Sequence, residues 1–190
     1  MPRVNRSSAR ALVLFAAVTA LTGFAPATDE WKRVKVGTTP LSMEIPGTKY
    51  KVAEVEKSEG QGDWVSTSQD YDFDNDDYFV RASVYKGRAG TKADLKFLKT
   101  IRDSVLKELD PVKPGPKMIE QDDKEIEDHP ALRGVYSVHP DKKADNYVVS
   151  LTFIGDGDKV YAVTIVSYPD MKASSDSAAR THKSIQFKKA

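Results

Sequence analysis

Between positions 78 and 109 the hydrophobic period of the sequence changes once, and that change limits the chain to folds in which a helix lies on a sheet. Tyr78, Val80, Ala82 and Val84 alternate with Phe79, Arg81, Ser83 and Tyr85. A period of two sends alternate side chains to opposite faces, so this run predicts a strand. Lys86-Gly87-Arg88-Ala89-Gly90 breaks it. Leu95, Leu98, Ile101, Val105 and Leu109 then recur at helical spacing, with Lys96, Lys99, Arg102, Lys107 and Glu108 mostly off that stripe. The pattern is that of an amphipathic helix. Thr91 followed by Asp94 resembles a capping box, with Asp in place of Glu or Gln. Asp110-Pro111 ends the helix, because a proline pushes the residue before it out of the α region. A helix striped on one face has to lay that face on another element, and the adjoining strand offers one.

The preceding run, Trp64-Val65-Ser66-Thr67-Ser68-Gln69-Asp70-Tyr71, is rich in β-branched and aromatic residues. Asp72-Phe73-Asp74-Asn75-Asp76-Asp77 joins it to the strand after it. Asp and Asn favour turns because their side chains bond the local backbone and tolerate left-handed dihedrals, so a hairpin is expected with its turn at 72–77.

The N-terminus must be set apart before length is used. Arg3, Arg6 and Arg10 precede an apolar run over 11–21, and no acid occurs before Asp29. That run is too short to span a bilayer as a permanent helix. Ala25-Pro26-Ala27 supplies the small residues that a signal peptidase reads. Residues 1–27 are therefore expected to be a cleaved secretory signal, and 28–190 a single domain with no permanent membrane anchor. The protein is expected to be exported, to the periplasm or the medium. Without cysteine it forms no disulfide, so packing alone must hold the domain.

Removing 27 of 190 residues leaves 163, enough to bury roughly 70% of the unfolded surface. The leader carries three of the 29 basic residues and none of the 28 acidic ones, so the mature charge is −2 with His neutral. Mixed charge of this kind gives no clustered basic face, and no nucleic-acid partner is expected.

In chain order, 31–36 and 41–45 read as strands separated by Gly37-Thr38-Thr39-Pro40. Pro46-Gly47 turns the chain, 50–55 predicts a short strand and 57–62 a loop. After the stiff connector 111–116, the acidic segment 118–128 is expected as an edge strand, because edge charges discourage unwanted pairing. Strands follow over 132–138, 147–153 and 160–166; the last is apolar on both faces, as in a central strand. Gly155-Asp156-Gly157-Asp158 is the clearest hairpin turn. A helix over 173–183, capped by Asp170 or a nearby serine, and a short extended piece over 184–187 close the chain.

This order resembles the PsbP-like family, whose namesake is an extrinsic subunit of photosystem II and whose superfamily includes a small GTPase-binding nuclear-import factor. Four segments carry the resemblance. They are Leu41-Ser42-Met43-Glu44-Ile45-Pro46-Gly47, the 78–85 strand leading to the helix, His129-Pro130-Ala131-Leu132-Arg133-Gly134-Val135-Tyr136, and Ser184-Ile185-Gln186-Phe187. The resemblance implies an α+β fold, an α-β-α sandwich with a mostly antiparallel central sheet. It implies no chemistry, since members share a shape and not an active site.

Two functions are weighed for the acidic turn. Asp72, Asp74 and Asp76 fall at alternate positions that can converge on Ca2+, which takes about six to eight oxygen ligands. Asp77 stands where a calcium loop needs glycine and Ser83 where it needs a bidentate Glu, so a solvated acidic turn is the stronger reading. Phe73 with Asp76 and Asp77 then forms a contact surface for a protein partner, unless Phe73 plugs the end of the hairpin core. His129, His139 and His182 have no metal-site spacing, and neither a Gly-x-Ser-x-Gly elbow nor a glycine-rich phosphate loop occurs. The expected function is an exported, non-enzymatic accessory or protein-binding domain, with a calcium-binding module as the alternative.

Overall fold

The computed structural model describes residues 30–46, 51–59, 64–74, 78–109, 115–138 and 146–188. Ten strands and two helices occur among them, in two antiparallel sheets, an α+β fold. The large sheet has seven strands in the order β3-β4-β5-β9-β8-β7-β6. They are β3 (Lys51–Glu59), β4 (Val65–Asp74), β5 (Tyr78–Gly87), β6 (Lys117–Asp122), β7 (Ala131–Val138), β8 (Tyr147–Asp156) and β9 (Lys159–Ser167). The small sheet joins β1 (Trp31–Lys35), β2 (Leu41–Pro46) and β10 (Gln186–Phe187), with β2 in the middle. The helices are α1 (Leu95–Leu109) and α2 (Lys172–Ser184).

The alternation at 78–85 does what a period of two requires. Tyr78, Val80 and Ala82 enter a core that also takes Leu41, Met43, Ile45 and Phe187 from the small sheet and Ala178 from α2. The central strands β8 and β9 divide their residues between two cores. Tyr161, Val163 and Ile165 join the one just described, whereas Val160, Ala162, Leu151 and Phe153 pack with Leu98 and Ile101 of α1. Adjacent residues of a strand point to opposite faces, so the two cores lie on opposite faces of the large sheet.

The β8–β9 turn is tied to the start of α1. Ala93 N donates to Gly157 O at 3.0 Å and Gly87 N to Asp158 O at 2.7 Å. Gly155 has to be glycine here, because a Cβ on it would run into the Ala93 carbonyl oxygen. Gly157 sits at φ +63, a left-handed turn position that favours glycine.

Several expectations are corrected. The hairpin turn is shorter than 72–77: β4 continues through Asp74, with Asp72 opposite Arg81 and Phe73 opposite Val80. The pleat and the apolar partner at Val80 outweigh the turn preference of Asp. The N-cap of α1 is Asp94, whose Oδ1 accepts from Phe97 N at 2.9 Å, and not Thr91. Met171 precedes α2 without a side-chain cap, in place of Asp170 or a serine. Of the loop expected at 57–62, residues 57–59 belong to β3, which runs to Glu59, and 60–62 lie outside the described residues. The first two strands, whose partners the sequence left open, form the small sheet with β10.

Candidate functional site

The acidic hairpin separates into an ordered ion pair and a buried aromatic. Arg81 Nε donates to Asp72 Oδ1 and Nη2 to Oδ2, both at 2.7 Å. The two residues are cross-strand neighbours, so the fork-on-carboxylate geometry is set by the register. The hydrogen bonds that Arg81 donates to Asp72 raise its guanidinium above its ordinary value, against the effect of burial. Both oxygens of Asp72 are engaged by Arg81, so the expected convergence of Asp72, Asp74 and Asp76 on calcium would require Asp72 to release that cation. Asp74 ends β4, and Asp76 and Asp77 lie outside the described residues.

Phe73 is 1% exposed and belongs to the core between the large sheet and the small one. Its expected role in partner contact is corrected: at an inward position of β4 it is the plug of the hairpin core. Tyr71 and Tyr78 enter the same core. Trp64 packs on the α1 side, edge-on to Phe97 with ring centroids 5.0 Å apart.

Among the described residues no group of three His, Cys, Asp or Glu is placed to hold a metal. His129 approaches the Gly155 carbonyl at 3.3 Å through Nδ1 and stacks edge-on with Phe187. His182 is buried in α2, and burial, with the nearby Arg133 charge, lowers its pKa to about 4. His139 lies outside the described residues.

Three surface features stand out, the first being the acidic edge strand expected over 118–128 and the other two not expected. The first is β6, whose inner edge pairs with β7 and whose outer edge has no strand on it among the described residues. It carries the adjacent side chains Met118 and Ile119, 57% and 58% exposed. A register shift between Met118 and Glu120 bulges the strand at Ile119. Segment 117–128 holds six acidic and two basic residues, so this edge is strongly acidic. Adjacent apolar residues inside an acidic stretch were the sequence signal for it. The second is a charged cluster between the small sheet and α2. Arg33 and Arg180 both bond Glu44, at 3.3 and 3.2 Å, and Arg180 lies 4.1 Å from the Trp31 ring centroid. The third is a cavity of about 240 Å³ beside Arg133, lined also by Asp122, Lys124, Glu125, Glu127 and Ile185. Arg133 inside an apolar strand was the only sequence signal for it.

Among the described residues no helix is long and apolar enough to cross a membrane. No family model matches the chain, and no curated protein matches it. Two solved structures are similar over much of its length. One is a crystal structure of a protein of unknown function from Pseudomonas aeruginosa, 15% identical, with a TM-score of 0.38 and coverage of 74% of this chain and 84% of that one. The other, from Bacteroides thetaiotaomicron, is 15% identical with a TM-score of 0.41. It is covered over 47% of its length by 80% of this chain, which therefore spans about half of it.

Proposed function

We propose that the chain is an exported, non-enzymatic accessory domain that binds another protein, built on the PsbP-like α-β-α layering. The leader over 1–27 supports export. The two cores on opposite faces of the large sheet, one under α1 and one shared with α2, support the layering.

The observation that carries the binding reading is β6. Among the described residues no strand pairs with its outer edge, and Met118 and Ile119 add exposed apolar surface beside it. The partner is an extended apolar segment with basic flanks that adds to this edge as a further strand. Main-chain hydrogen bonds supply the affinity in such pairing, and side chains the selectivity. A second copy of the chain would bring the same acidic edge and be repelled. The calcium alternative has to draw on Asp74 and Asp76, because Asp72 is held by Arg81.

Gentle size-exclusion chromatography of the exported fraction of producing cells tests the reading. The chain is expected to start at Thr28 and to elute above monomer size. Met118→Ser with Ile119→Ser is expected to return it to monomer size at unchanged thermal stability. Co-elution of the variant with the larger species, or self-association of the purified chain into it, overturns the reading.

A further inference from the structure

The cavity beside Arg133 contains a charge that the fold does not neutralise. Arg133 Nη2 donates to the Ile185 carbonyl at 3.0 Å, while Nε is buried with no hydrogen-bond partner among the described residues. Arg133 makes no ion pair among the described residues. Burial pushes the guanidinium down from its ordinary value, with only the field of Asp122 opposing it. A desolvated guanidinium without a carboxylate is costly, and its fork matches a bidentate carboxylate.

Beneath Arg133, and not in the cavity lining, lie two further polar groups with buried unpaired atoms among the described residues. Thr152 lies opposite Arg133 in the β7–β8 register, and its fully buried Oγ1 has no hydrogen-bond partner among the described residues. His182 Nε2, close enough to feel the Arg133 charge, is likewise buried without one. At the mouth the lining is acidic on balance, with Asp122, Glu125 and Glu127 against Lys124. Asp122 is paired with Lys124 at 3.6 Å, but Glu125 and Glu127 make no ion pair among the described residues. Glu127 and Asp128 hold φ values of 51 and 63 in a tight turn closed by reciprocal Ile126–His129 hydrogen bonds. A simple anion would be repelled by that rim, and a simple cation by Arg133. The volume of about 240 Å³ is several times the roughly 30 Å³ share of a liquid water, so it suits a small organic molecule.

We infer that this cavity is a binding site for a small zwitterion, a free α-amino acid, with its carboxylate on Arg133 and its ammonium group toward Glu125 and Glu127. The site stands independently of the β6 edge: one takes a metabolite-sized ligand, the other a protein strand.

Isothermal titration calorimetry on the full chain tests it, with the common α-amino acids as ligands and acetate, methylamine and inorganic phosphate as single-charge controls. At least one α-amino acid is expected to saturate the site at or below about 10 mM, with the controls binding more weakly. Arg133→Gln is expected to weaken that binding by about tenfold or more, the scale of a lost charge-assisted hydrogen bond. Glu125→Gln with Glu127→Gln, both exposed at the rim, is expected to weaken it by about threefold or more. This second variant decides the matter if circular dichroism shows Arg133→Gln unfolded. Saturation by no α-amino acid, affinity unchanged in the folded variants, or equal affinity for acetate or phosphate overturns the proposal.

Discussion

Replacing Phe73 by alanine asks whether this aromatic is a core residue or an exposed contact. It is 1% exposed and packs in the core with Tyr71, Tyr78 and Val80. Truncating a fully buried Phe costs about 3–5 kcal/mol, the lost transfer free energy plus the cavity left behind. With a urea slope of about 2 kcal/mol per molar, the unfolding midpoint falls by roughly 2 M. Phe79 is the control: it sits on the same hairpin but points to the other face, only partly buried and beneath Arg81. Phe79→Ala is expected to cost about 1 kcal/mol. Urea unfolding followed by circular dichroism reads both. A loss below about 1 kcal/mol for Phe73→Ala, with Phe79→Ala equal or larger, refutes the placement of Phe73 and the β4–β5 register with it.

His182 gives a pH signature. Its folded pKa of about 4 lies below the ordinary 6.5, so between these values the unfolded chain binds the proton and the folded chain does not. Stability is therefore complete above 6.5 and lost as pH falls toward 4; near pH 4.5 the loss is about 2–3 kcal/mol, and His182→Gln is expected to flatten that part of the urea-midpoint profile. Asp72→Asn leaves Arg81 without its bidentate partner and is expected to cost about 1–3 kcal/mol, with most of the cost absent when Arg81 is replaced as well. Asp94→Ala removes the bond to Phe97 N and is expected to lower stability by about 1 kcal/mol by the same assay. Calcium against a chelator is expected to leave the melting midpoint unchanged. A site filled at a hundredfold its Kd would add about 2.7 kcal/mol and be plain in the melt.

The strands and helices whose hydrophobic period was unbroken were legible in the sequence. The 78–85 strand, the Leu98 and Ile101 stripe and the doubly apolar 160–166 strand all bury the faces their spacing predicts. Pairing was harder to read. Nothing local in Leu41-Ser42-Met43-Glu44-Ile45 says that its partners are Val34 and Phe187 and not the central sheet, because strand pairing is a long-range choice. The acidic turn misled for a related reason. Turn propensity is local, whereas the inward position of Phe73 and the Asp72–Arg81 pair are set by register with β5. The Arg133 cavity was nearly invisible, since Arg133, Glu127 and Ile185 meet only through the fold.

Which surface meets a partner can be read by placing a photo-crosslinking residue at position 119 in one chain and at position 76 in another, both expressed in the exporting cell. We expect the probe at 119 on β6 to give one discrete adduct that fades as salt is raised, since the acidic edge meets basic flanks. The probe at 76 is expected to give none. An adduct at 76 with none at 119 would return the contact to the acidic hairpin and contradict the assignment to β6.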